Sequence, residues 1–296
     1  MPRFSSPESR GAKQAASVIK RLQGTEIKSV GTARNYEQAL SNVATTLARN
    51  NIDLEDLTPQ TATEYLVDRA TQVGQSALNM ERQALQAMMT KITLQLPPGE
   101  TLKVIKSEQK TILESRAYTT DQVQAVAECQ TPKNALATEI AHAAGLRAHE
   151  LATLDHTKNR PPDDRPALQQ KFEGREGVSY TVEGKGGLVR EVLIPHHLAK
   201  RLEGSRFPHP MPYNDRGVFY QSNYDIGKGQ AWSQSFSDAS VRALTWSSGA
   251  HGLRHSYAQE RMEELQFRDY ERVIALEVVS QEMGHFRPEI TETYLR

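Results

Sequence analysis

His251 and Arg254, in the run His-Gly-Leu-Arg-His-Ser-Tyr from 251 to 257, stand three residues apart where a helix should begin after Gly252. Residues three apart on a helix share a face, so the pair could grip one anion. Taken alone, such a pair is also an ordinary helix start, and its weight comes from what flanks it. Arg147 follows Gly145 in Gly-Leu-Arg-Ala-His-Glu-Leu, with Glu150 one turn along as an ion-pair partner. Lys185 falls in Gly-Lys-Gly-Gly, Gly284-His285 closes a late apolar run, and Tyr294 stands nine residues beyond His285.

The elements that must hold these residues follow from periodicity. Residues 1–27 are polar with weak periodicity and read as a tail. A first helix runs through Val30, Tyr36, Leu40, Val43 and Leu47, with Thr32 able to cap it. Thr58-Pro59 opens a second through Tyr65, Leu66 and Val73, which Gly74 stops. A third starts near Ser76, carries Leu85, Met88, Met89 and Ile92, and ends before Leu96-Pro97-Pro98-Gly99. Together they predict a helical bundle over 28–96. Residues 97–115 have the composition of a linker, and Lys103, Lys106 and Lys110 in it suit either a phosphate backbone or plain solubility.

Beyond the linker, residues 116–296 predict a second domain. Thr119-Thr120-Asp121 caps a helix, and Pro132 begins another that stops at Gly145, just before the Arg147 turn, which reads as a helix start. Val178 to Pro195 alternates with period two around the glycine turn, a hairpin with Lys185 at its tip, where lysines are commonly just solvated. Residues 204–235 read as a long loop, and Ser237 to Leu244 as a short helix leading to His251. A helix over Leu276 to Met283 and a last one from Pro288 bring the chain to Tyr294.

Composition bounds the rest. With 296 residues, 38% of them apolar, there is material for two domains with ordinary cores. No run of apolar residues has the length of a membrane span, and Met1 to Gly11 lacks the apolar stretch of a secretory signal, which predicts a cytoplasmic protein. Cys129 is the only cysteine, so there is neither a disulfide framework nor a cysteine metal cluster; its helical context predicts a half-buried filler. Net charge is zero: residues 1–112 hold 14 Lys and Arg against 11 Asp and Glu, the remainder 22 against 25. Any nucleic-acid surface must therefore be a local concentration of charge.

In order, Arg147, Lys185, His251-x-x-Arg254, His285 and Tyr294 resemble the tyrosine recombinase (phage integrase) family, which uses Arg, Lys, His-x-x-Arg, His or Trp, and Tyr in that sequence at about these separations. The resemblance spans most of the chain. It implies a mainly α fold with a small β-sheet or hairpin (α+β): a helical core-binding bundle and a catalytic domain that close as a C-shaped clamp on DNA. The implied partner is double-stranded DNA bearing a recombination site, held by a homotetramer that is a monomer or weak oligomer when free.

The resemblance also distributes roles. Tyr294 would attack the scissile phosphate to leave a 3′-phosphotyrosine, and Arg147 and Arg254 would hold its non-bridging oxygens with forked donors. Lys185 would protonate the departing 5′ oxygen, His251 would help deprotonate a phenol whose ordinary pKa is about 10, and His285 would donate to a phosphate oxygen. Glu150 would orient Arg147, whereas His255 reads as packing. This chemistry calls for no cofactor, metal or ATP, and the sequence has no His-Glu-x-x-His and no P-loop. Two features depart from the larger members. No arm-binding domain is expected ahead of residue 28, and only two residues follow Tyr294, short of the element by which many relatives dock on a neighbouring subunit. Competing readings are a DNA-binding regulator that has lost cleavage and a type IB topoisomerase-like enzyme; a non-cutting descendant would be free to lose members of the set, and none is missing.

Overall fold

A helix occupies most of the stretch that reads as a tail. Helix α1, Pro7–Leu22, starts on Ser6, whose hydroxyl accepts from the Ser9 amide, and has Glu8 in its first turn and Lys20 and Arg21 in its last. Each of these favours the helix ends they sit at. Its buried stripe is Gly11, Ala15, Val18, Ile19 and Leu22, with the large apolar residues confined to its second half, and the polar majority around them hides it in the sequence. A Cβ on Gly11 would meet Thr45 at 2.7 Å, so glycine lets α1 lie close along α2.

The computed structural model describes residues 6–23, 26–27, 29–49, 52–110, 114–184 and 186–296. It divides into two compact units, residues 1–112 and 113–296. In the first, α1 packs with α2 (Val30–Ala48), α3 (Pro59–Ala70) and α4 (Gln75–Lys91) around Leu40, Val43, Leu66, Leu85 and Met88. Ser29 rather than Thr32 caps α2, accepting from the Thr32 amide. Residues 97–110 form no helix or strand, yet part of the stretch is docked: Leu102 is buried, Ser107 N donates to Gln75 Oε1 (2.8 Å) and Glu108 N to Ala70 O (3.0 Å). Lys103, Lys106 and Lys110 stand exposed along it.

The second unit opens with α5 (Thr120–Glu128), capped by Thr119 and Gln122 reciprocally, and α6 (Pro132–Ala144), which Gly145 ends in the left-handed conformation at φ 59°. Cys129, at the end of α5, is exposed rather than half-buried, because it lies past the apolar stripe of Val123, Val126 and Ala127. Strands β1 (Asp155–His156), β2 (Val178–Glu183) and β3 (Val189–Ile194) make an antiparallel sheet in that order, β2 and β3 forming the expected hairpin. Lys185, in its turn, lies outside the described residues.

After α7 (His196–Glu203), the region read as a loop is a second hairpin, β4 (Arg206–Asp215) with β5 (Val218–Tyr224). Pro208, Pro210 and Pro212 concealed it. Pro208 and Pro210 fall where the β4–β5 register shifts, between Arg206 and Met211, and a two-stranded sheet leaves β4 an unpaired edge where no donor is needed. Helix α8 (Gly229–Leu244) begins eight residues earlier than the sequence suggests, since Asp215 of β4 accepts from the Gln230 amide (3.1 Å) and supplies a cap distant in sequence. Then come α9 (Gly252–Phe267), α10 (Arg272–Met283), α11 (Pro288–Thr291) and a 3-10 turn, Glu292–Tyr294. The main core joins α5, α6, α8 and the sheet through Leu136, Ile140, Tyr180, Trp232 and Phe236, and a second cluster joins α9 to α10. No helix among the described residues is long and apolar enough to cross a membrane.

Candidate active site

Everything at the site hangs on the first turn of α9. Gly252 has to be glycine, because a Cβ there would run into the Arg116 carbonyl and the Tyr118 ring. Ser256, one turn on, accepts from Tyr118 N and donates to Tyr118 O, both at 2.8 Å, tying residues 116–118 to the helix start. Arg254 points inward and is fully buried. One of its nitrogens, Nη1, donates to the Gly145 carbonyl at the end of α6, and Nη2 donates to the Met283 carbonyl at the end of α10 (3.2 Å). Helix C-termini carry partial negative charge, so both ends favour the guanidinium. Burial, then the neighbouring Arg147, lowers its pKa to about 10, which leaves it charged at neutral pH.

Glu150 is the buried counter-charge. It opens a 3-10 turn rather than lying within a helix, so the Arg147 stretch is a turn between α6 and that element. Its carboxylate accepts from Arg147 Nη1 (2.7 Å) and Arg147 N (2.8 Å), and lies 3.8 Å from Arg254 Nη1. Burial alone would raise this carboxyl; the guanidiniums of Arg190, Arg254 and Arg147 outweigh it and hold the group well below the usual carboxylate range. Three cations around one anion leave an excess of positive charge, and Arg147 is the member that keeps solvent access, with a quarter of its side chain exposed.

Arg190 is the residue the sequence reading missed. From β3 it donates Nη2 to Glu150 Oε2 (2.9 Å) and Nη1 to the Glu282 carbonyl (2.6 Å), with its side chain buried. Gly284, at φ 72°, must lack a side chain here because a Cβ would strike Arg190. A signal existed: in Val-Arg-Glu-Val-Leu-Ile, Arg190 shares the face of Val192 and Ile194, and a charge on an apolar strand face needs a buried partner.

The aromatic side of the site gathers around Tyr294, which is nearly buried. Its ring centroid lies 5.4 Å from His251, 4.7 Å from His255 and 5.1 Å from His285, with the Arg254 guanidinium 5.6 Å away over the ring. His285 Nε2 lies 3.0 Å from Arg254 Nη2 and Nδ1 lies 3.0 Å from Thr291 Oγ1. Because the guanidinium has only donors, Nε2 accepts and the proton sits on Nδ1. Burial and then Arg254 drive the His285 pKa to about 3, so the ring is neutral. Both of its nitrogens are engaged, and donation to a phosphate oxygen requires the Arg254 contact to open and Nε2 to carry a proton. His251 is also pushed down, first by the protein packed around it and then by Arg254; its solvent-open edge tempers that depression.

Arg147, Glu150, His251, Arg254, His285 and Tyr294 thus converge in the second unit, joined by Arg190. Lys103, Lys106 and Lys110 belong to the first unit. Among the described residues no cluster of His, Cys, Asp and Glu is arranged to hold a metal ion.

No family model matches the sequence, and no curated protein does. Solved structures match in three dimensions. XerH site-specific recombinase, bound to palindromic difH substrate in a post-cleavage complex, aligns at a TM-score of 0.58 and 14% identity over 100% of this chain and 94% of that one. A lambda integrase tetramer bound to a Holliday junction aligns at 0.57 and 16% identity over 95% and 76%. The Tn1549 transposon integrase, in complex with transposon right end DNA, aligns at 0.55 and 14% identity over 96% and 94%. At such identities the likeness is one of fold, and the fold of this chain is that of the tyrosine recombinases.

Proposed function

We propose that this protein is a site-specific DNA recombinase that cuts and rejoins strands through a 3′-phosphotyrosyl intermediate. The observation that carries the reading is the grouping of a tyrosine, three histidines, the buried Arg254 and the partly exposed Arg147 at one place in a recombinase fold. In this reading Arg147 and Arg254 hold the non-bridging oxygens of the scissile phosphate, and Glu150 and Arg190 fix their orientation. The Tyr294 oxygen attacks phosphorus, the bond to the 5′ oxygen breaks, and the phenolic proton passes toward His251, which is neutral and able to take it. Lys185 supplies the proton to the leaving oxygen. Residues 28–96 act as the core-binding domain and 116–296 as the catalytic domain, a tetramer assembles on the paired duplexes, and the protein works in the cytoplasm without metal or ATP.

The test is covalent capture. On a nicked suicide substrate bearing its recombination site, wild type should form an adduct that survives SDS, is destroyed by protease and forms in excess EDTA. Tyr294→Phe should bind the same DNA and form none. Adduct formation by Tyr294→Phe at the wild-type rate would remove Tyr294 from the role, and abolition by EDTA would sink the metal-free mechanism.

A further inference from the structure

We infer that Gln259 and His255 are positioning residues for Tyr294, so that α9 carries both the cation facing the site and the cradle that sets the tyrosine. This rests on the reading of Tyr294 as nucleophile. His251, His255 and Gln259 are spaced four apart and share one face of the helix or its cap. The His255 ring makes the nearest aromatic contact to Tyr294, at 4.7 Å between centroids, and is itself buried, so it forms a fixed wall. One turn on, Gln259 Nε2 donates to the Tyr294 carbonyl (3.1 Å) and to the Arg296 carbonyl (2.8 Å).

That anchor matters because of what it holds. Residues 288–294 are a four-residue helix followed by a single 3-10 turn, elements too short to hold a position by their own hydrogen bonds. The segment is also tied by the His285–Thr291 bond, the exposed Arg272–Glu292 ion pair, and the packing of Thr291, Tyr294 and Leu295 against its surroundings. An exposed ion pair contributes little. One bond from Gln259 acts on the backbone of the nucleophile and the other on Arg296 two residues along, and they use both hydrogens of one amide group. They therefore demand a donor at position 259 and reject an acceptor.

The substitutions follow from that polarity. Gln259→Glu keeps size and helix preference but offers oxygen lone pairs to two carbonyls; Gln259→Lys restores donors. In the full-length protein, Gln259→Glu and Gln259→Ala should slow adduct formation on the suicide substrate by on the order of 10², the scale of a misplaced reacting group. DNA affinity should stay unchanged, and hydrogen exchange should speed up at residues 290–296 while α9 and α10 keep their protection. Gln259→Lys should recover most of the rate and the protection, which a generic structural defect would not do. Adduct formation at the wild-type rate in Gln259→Glu, with the attachment mapped to Tyr294, overturns the inference and leaves the proposed activity standing. Attachment at another residue overturns both, and the exchange data separate a loosened segment from a misfolded unit.

Discussion

At the scale of single residues, the charge cluster at Glu150 has the largest consequence for stability. One fully buried carboxylate lies against Arg147, Arg190 and Arg254, two of which are buried as well. Removing one partner of a buried ion pair leaves charge uncompensated and costs roughly 3–5 kcal/mol. Glu150→Gln should therefore lower unfolding free energy by about that much in urea titrations. Arg147→Ala, at a residue with solvent access, should cost clearly less. Equal costs for the two would mean that the carboxylate is no more than a partner of Arg147. The ordered resemblance to the tyrosine recombinase set singled out six of the residues that the structure brings together, Arg147, Glu150, His251, Arg254, His285 and Tyr294, each with a glycine or an expected helix boundary nearby. Arg190 is not among them, and its importance comes from which strand face it occupies.

At the scale of elements, histidines set a pH dependence. His285 and His255 are driven to pKa values of about 3 and about 4 by burial first, then by Arg254 in the one case and Arg116 in the other. Unfolded, both titrate near 6.5. As pH falls below 6.5 the unfolded chain takes up protons that the folded chain refuses, so stability is full above that value and is lost toward pH 4, by up to about 1.4 kcal/mol per histidine per pH unit. Urea midpoints measured at pH 7.5, 6 and 5 should fall in that order, and more shallowly in His255→Phe, which removes one titrating group. A midpoint that does not change over this range would contradict the burial of these rings. Helix α10, which leads to His285, was readable from its apolar run and closing glycine, the start of α9, which carries His255, from Gly252, and β2 and β3 from their alternation. Helix α1 was not, since up to Ala15 it buries only Gly11 and Ala15, and its large apolar residues, Val18, Ile19 and Leu22, come late among polar neighbours. Neither was β4, whose prolines mimic a loop, nor the early start of α8, whose cap comes from another element.

At the scale of the whole molecule, the charge balance decides how the protein could hold DNA. Residues 1–112 carry 14 basic against 11 acidic side chains and residues 113–296 carry 22 against 25, so net charge attracts nothing and the attraction must be local. The sequence shows this balance but not where the cations point. Acidic side chains are spent inside the fold, as at Glu81 and Glu282, both buried against arginines, while Lys103, Lys106 and Lys110 stand exposed on a stretch whose neighbours are docked. A stretch read as a linker is thus partly a fixed ledge, because Gln75 and Ala70 take up the backbone amides of Ser107 and Glu108. Each lysine that neutralises a phosphate releases condensed counterions, so the logarithm of DNA affinity should fall linearly with the logarithm of salt concentration, by about 0.9 per contact. Replacing all three lysines with glutamine should flatten that slope by up to about 2.7. Affinity should drop to a similar degree on specific and non-specific duplexes, since phosphate contacts carry no sequence information. An unchanged slope in the triple variant would place these lysines away from the DNA, and the counterions would then have to be released elsewhere, starting with the solvent-facing side of Arg147.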